Sequence, residues 1–132
     1  MKVLDPKGWK QAIGYANGIA ACGTQIFVGG QIGWNGQQIF ESEELVDQVR
    51  QTLENILAVL AEADAGPEHI AHMTWFVVDK QDYLAKRREI GAVYRDLIGR
   101  HFPAMTLVQV ADLLEDQAKV EIEVTAVIPN NG

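Results

Sequence analysis

Few side chains in this sequence combine a reactive type with a suggestive spacing. Glu121 and Glu123 alternate in Val120-Glu121-Ile122-Glu123-Val124. If that run is a strand, both carboxylates share one face, where a carboxylate can hold water or move a proton. Read from spacing alone, they are more simply a pair of solvated strand residues. Gly29-Gly30 exposes backbone to a ligand or permits a tight sheet crossing. Tyr15 can cover a cleft and donate a hydrogen bond, or simply pack on a strand, and Trp34 is a pocket wall or a packed hairpin aromatic. His69 and His72 lack a third ligand of fitting spacing, so no metal site is expected. Cys22 cannot form an internal disulfide and is expected to be an inert thiol in an apolar strand. Lys86-Arg87-Arg88 reads most simply as a solvated helix face.

These residues need elements to position them. Ile19-Ala20-Ala21-Cys22 and Gln25-Ile26-Phe27-Val28-Gly29 flank a glycine turn and predict a hairpin. Asn35-Gly36 predicts a second tight turn. Ser42 is a candidate cap for a helix whose buried stripe is Val46, Val49, Leu53, Ile56 and Leu60, with Gln48 largely off that stripe. Gly66-Pro67 should end it. A strand follows from Ile70 to Val78, then a helix capped by Asp82 with Tyr83, Ile90, Tyr94 and Leu97 on one face. Strands over 104–110 and 120–128 close the chain, with a loop over 111–118 between them.

The order predicts one α+β domain over residues 1–132, two helices on one face of the sheet. Val120, Ile122, Val124 and Ala126 should face the helices. Trp75 and Phe76 point to opposite faces of one strand, and the strand over 104–110 is largely apolar on both. Two helices cover one face, so the other is expected to meet a second copy, with clefts between chains.

Composition narrows the function. In 132 residues, 48% are hydrophobic and 22% charged, enough for a folded core. Eleven Lys and Arg stand against 18 Asp and Glu, a net charge of -7. That charge opposes nucleic acid and anionic membrane as partners. No secretory signal or spanning run is legible, so a cytoplasmic location is expected.

Several stretches, taken in order, are similar to the Rid (YjgF-like) family of imine and enamine deaminases over nearly the whole length. They are Ile13-Gly14-Tyr15, Ile26-Phe27-Val28-Gly29-Gly30-Gln31-Ile32, Gln48 through Ile56, Phe102-Pro103-Ala104 and Val120-Glu121-Ile122-Glu123. The resemblance implies a chorismate-mutase-like mixed sheet and a homotrimer with inter-subunit clefts. It implies hydrolysis of a C=N bond to a carbonyl and ammonia, with no cofactor and a small molecule as partner. It makes Glu121 the residue that holds or activates water. Tyr15, Gly29, Gly30, Gln31, Trp34, Met105 and Leu107 become candidate substrate-binding residues.

The departures bear on substrate. Family members acting on amino-acid-derived imines carry arginine after Pro-Ala, to grip the substrate carboxylate. Here that residue is Met105, which is apolar. Gly29 replaces a serine, Leu107 a small or polar residue, and Gly91 aligns with an asparagine. The resemblance is therefore to the arginine-lacking members. A larger apolar or ring-derived substrate, such as a 2-aminomuconate-like enamine, is expected rather than a simple 2-iminoacid. The alternative is a trimer that binds a small molecule without turning it over. Either site needs Met105 and Glu121 to face one another across a single notch.

Overall fold

The computed structural model describes residues 1–130, so the last two residues of the expected 1–132 domain lie outside the described residues. Its sheet has four strands: β3 (Thr24–Ile32), β4 (Ile70–Val77), β5 (Ala104–Gln109) and β6 (Val120–Ile128). Their order across the sheet is β3-β6-β4-β5. β6 is antiparallel to both neighbours, and β4 and β5 are parallel. Three helical segments pack on one side: α1 (Leu45–Ala61), α2 (Lys80–Ala85) and α3 (Arg87–Leu97). The expected α+β class and one-sided helix layer are both present, although the second helix is divided at Lys86.

The hydrophobic pattern places the core as expected. Val120, Ile122, Val124 and Ala126 of β6 are buried, with Ile70, Met73, Trp75 and Val77 of β4 and Val49, Leu53, Ile56 and Leu60 of α1. Phe27, Phe76, Thr125, Glu121 and Glu123 share the opposite face, since Phe76 pairs with Glu121 and Phe27 with Thr125. Among the described residues, no helix of the chain lies over that face.

Several local expectations are corrected. The run 19–22 does not pair with β3; instead β2 (Gly18–Ala20) pairs with β1 (Lys2–Leu4) in a separate two-stranded sheet. A Cβ on Gly23 would strike the Ile128 carbonyl, so this glycine lets the chain cross the end of β6 and does not close a hairpin. Cys22 consequently lies exposed in a loop. Asn35-Gly36 does not join two strands: the Asn35 carboxamide oxygen accepts from the Gln37 and Ile39 amides and shapes a loop. The N-cap of α1 is Glu44, and the Ser42 hydroxyl accepts from the Glu44 amide and donates to Asp47. α1 stops at Ala61, ahead of Gly66-Pro67, with Asp64 in the left-handed region at φ 57°. Asp79 caps α2 by accepting from the Gln81 and Asp82 amides, and Asp82 instead pairs with Lys86 at 2.9 Å.

The largest correction is Gln48, which is 1% exposed and sits on the buried stripe. Its amide nitrogen donates to the carbonyls of Ser42 at 3.1 Å and Gln117 at 2.9 Å. Its amide oxygen accepts from the Lys119 N–H at 2.8 Å. Gly33 makes room, since a Cβ there would press on the Gln48 side chain at 2.5 Å. One glutamine thus ties the start of α1 to the loop that delivers Glu121. Gln48→Leu would leave one buried amide and two carbonyls unpaired. The expected cost is about 2–3 kcal/mol, read as a lower urea midpoint with an unchanged slope.

Candidate functional site

Two separate surfaces carry the candidate residues. The first is a groove of about 630 Å³ at the edge of the helix-covered face, between β5, α3 and the segment before β2. Met105 pairs with Met73 and Leu107 with Trp75, so both point to the helix side. The segment carrying Tyr15 is held there by a bridge from Ala16 to Ala104 and by the Ala16 amide donating to the Pro103 carbonyl at 3.0 Å. Tyr15, Met105 and Leu107 therefore line one groove, with Tyr83, Tyr94 and Phe102 as aromatic walls. Tyr94 and Phe102 stack with centroids 5.7 Å apart.

The second surface is on the open face. Gly29 and Gly30 occupy a break in the β3 register between Val28 and Gln31. Glu121 is half-buried and its carboxylate lies over Gly30, where any Cβ would collide with it. Gln31 donates from its side chain to the Gly29 carbonyl at 3.1 Å and holds the bulge. Asn55 of α1 donates to the carbonyls of Ile32 and Trp34 at 3.0 and 2.7 Å, which fixes the strand just beyond. Trp34 tilts against Phe40 and is not among the groove-lining residues.

Met105 and Glu121 therefore lie on opposite faces of the sheet. The expectation that they face one another is not met within one chain. Four residues of these two surfaces were not expected from the sequence. Gln48 and Asn55 are positioning residues whose signal was their place in the 48–56 stretch, there treated only as a resemblance. Arg87, assigned to a solvated face, lines the groove, as does Arg95. Arg87 and Arg88 are both exposed, as expected of a solvated face, while Lys86 is half-buried and held between Asp82 and Glu44. His69 accepts from the Gly66 amide through Nδ1 at 3.0 Å, and His72 pairs with Thr125 on the open face.

A one-sided helix layer, a ligand-sized groove and a carboxylate over a glycine bulge define an α+β protein with candidate half-sites on opposite faces of one sheet. The family described as Endoribonuclease L-PSP matches residues 9–128, and the chain belongs to that family, the Rid/YjgF family of its sequence resemblance. It is 34% identical over 130 residues to a 2-iminobutanoate/2-iminopropanoate deaminase of Salmonella typhimurium, covering 96% of this chain and 97% of the relative. Among solved structures, the Rid-family protein YyfB of Yersinia pestis superposes with a TM-score of 0.82 at 25% identity, covering 96% and 98% of the two chains. TdcF of Escherichia coli, solved with bound serine, gives a TM-score of 0.69 at 32% identity over 97% and 99%. No helix among the described residues is long and apolar enough to cross a membrane.

Burial pushes the Tyr94 phenol well above its ordinary value and raises Tyr83 too, against the opposing charge of Arg87. The Tyr94 hydroxyl also donates to the His101 carbonyl at 2.7 Å. The fold thus favours the neutral phenols. An unfolded chain releases those protons from about pH 10 upward, while the folded one keeps them longer. Above that point the unfolded state binds fewer protons, so stability falls as pH rises. Thermal melts should hold level to about pH 9 and then drop. Tyr94→Phe should lower stability at neutral pH and flatten the alkaline decline.

Proposed function

We propose that the chain is a cofactor-free deaminase of reactive imines or enamines, working as a cytoplasmic homotrimer. The observation that carries this reading is the split site. Each chain presents an apolar groove on one face and a carboxylate over a glycine bulge on the other. A groove from one copy set against the open face of the next completes a cleft that neither chain holds alone. The open face suits such a contact: Phe27 is 73% exposed there and Phe76 and Val108 lie on the same side.

The chemistry follows from what meets in that cleft. Glu121 holds a water against the substrate carbon and passes a proton to nitrogen. Water oxygen bonds to the C=N carbon, giving a carbinolamine. That species collapses, the C–N bond breaks, and ammonia leaves as the carbonyl forms. The Salmonella relative, named for deamination of two iminoacids, supports the reaction class. Met105 supports a different substrate, because a thioether cannot bind a carboxylate at the position where iminoacid-specific members carry arginine. We therefore favour an apolar or ring-derived enamine. The same Met105 also favours a second reading, in which the trimer binds such a molecule without hydrolysing it.

Purified protein should release ammonia from a 2-aminomuconate-like enamine and act weakly on 2-iminopropionate. Glu121→Ala should cut turnover by about two to four orders of magnitude. Strong hydrolysis of 2-iminopropionate would overturn the substrate class. Ligand binding with no turnover on any substrate would select the binding trimer. A stable lone protomer in sedimentation would remove the cleft altogether.

A further inference from the structure

Arg87, Gly91 and Arg95 follow one another at intervals of four on α3 and so share one stripe of the helix. All three line the groove beside Met105 and Leu107. Gly91 leaves a gap between the two arginines. A Cβ there would meet Nη1 of Arg95 at 3.7 Å, so this guanidinium lies against the glycine. Among the described residues, Arg87 and Arg95 make no ion pair, whereas Arg50 is paired with Asp96 and Lys86 with Asp82 and Glu44. Arg87 also lies close enough to Tyr83 for its charge to act on the phenol.

A second observation comes from the groove floor. Trp75 lines it and is 2% exposed, and its indole N–H has no hydrogen-bond partner. A buried donor left unpaired is destabilising, since it has given up its bond to water. A ligand oxygen reaching the floor would relieve that cost. The groove therefore offers two free guanidiniums at its rim and an unsatisfied N–H beneath aromatic walls.

We propose that the groove binds an unsaturated carboxylate, its acid group held by Arg95 and Arg87 across Gly91, its body on Tyr83 and Phe102, and an oxygen accepting from Trp75. The cationic grip absent at residue 105 is thus supplied by the helix. A substrate whose only acid adjoins the C=N carbon would seek it at residue 105 and find methionine. One whose acid lies further along a conjugated chain finds it on α3. This rests on the groove being the substrate half of the proposed cleft, but it concerns binding and stands apart from turnover.

The test is calorimetric titration of the intact protein with trans-cinnamate and its neutral counterpart cinnamamide. Cinnamate should bind about tenfold more tightly or better. Arg95→Gln should remove most of that preference and Arg87→Gln/Arg95→Gln all of it, while cinnamamide affinity holds. Arg88→Gln, off the groove, should change neither. The Trp75 indole proton, assigned by its loss in Trp75→Phe, should shift downfield on addition of trans-4-hydroxycinnamate, whose ring hydroxyl supplies an oxygen at the end away from the acid. Equal affinity for acid and amide, no cinnamate binding at millimolar concentration, or an unchanged preference in the double variant would overturn the proposal. Glu121→Ala separates the two readings. In that variant, intact cinnamate binding with unchanged turnover would sink the catalytic reading alone; in the unaltered protein, turnover of an enamine with equal affinity for cinnamate and cinnamamide would sink this one alone.

Discussion

A four-stranded sheet has two faces, and the helices of this chain cover only one of them. Everything about the candidate site follows from that imbalance. On the covered side, alternate residues of β4 and β6 bury against α1 and α3 and supply the core. On the bare side, the intervening residues include Phe27, Phe76 and Val108, more apolar than a solvated sheet face requires. The alternation that builds the core therefore sends Met105 and Glu121 to opposite sides, and any chemistry involving both must be shared between copies.

Within the chain, a few side-chain amides hold the two half-sites in place. Gln48 reaches across to the Gln117 carbonyl and Lys119 amide, which fixes the entry to β6 and so the position of Glu121. Asn55 secures the exit from β3 beyond the glycine bulge that receives the Glu121 carboxylate. These bonds are partly buried and span more than twenty residues of sequence. They explain why glycines are needed at 30 and 33: each stands where a side chain from another element occupies the space a Cβ would take. A different part, the groove, is where the apolar Met105 and Leu107 meet arginines from α3.

The larger elements were legible in the sequence because burial writes a period into it. β6 was readable from its alternation over 120–126, and the α1 stripe from spacings of three and four. Local errors came where one residue type serves two purposes. Gln48 looks like a surface residue because glutamine usually is one, and only partners about seventy residues away make it a core residue. Ser42 and Asp82 looked like caps because each lies close to a real cap, and the local backbone selected Glu44 and Asp79 instead. The glycine at 23 looked like a hairpin turn and is in fact a close crossing.

By itself the sequence determined the fold class and the buried faces of the long elements, since both depend on residue type and short-range period, while only its family resemblance marked Met105 as standing where an arginine is expected. Tertiary structure alone decided which side chains share a surface. Parallel pairing of β5 with β4 turned Met105 and Leu107 toward the helices, and β6 turned Glu121 away. Helix α3, arriving over the same edge, brought Arg87 and Arg95 beside a methionine that sequence order keeps ten or more positions away. Proximity across elements is set by register and crossing, and neither leaves a mark in a one-dimensional pattern.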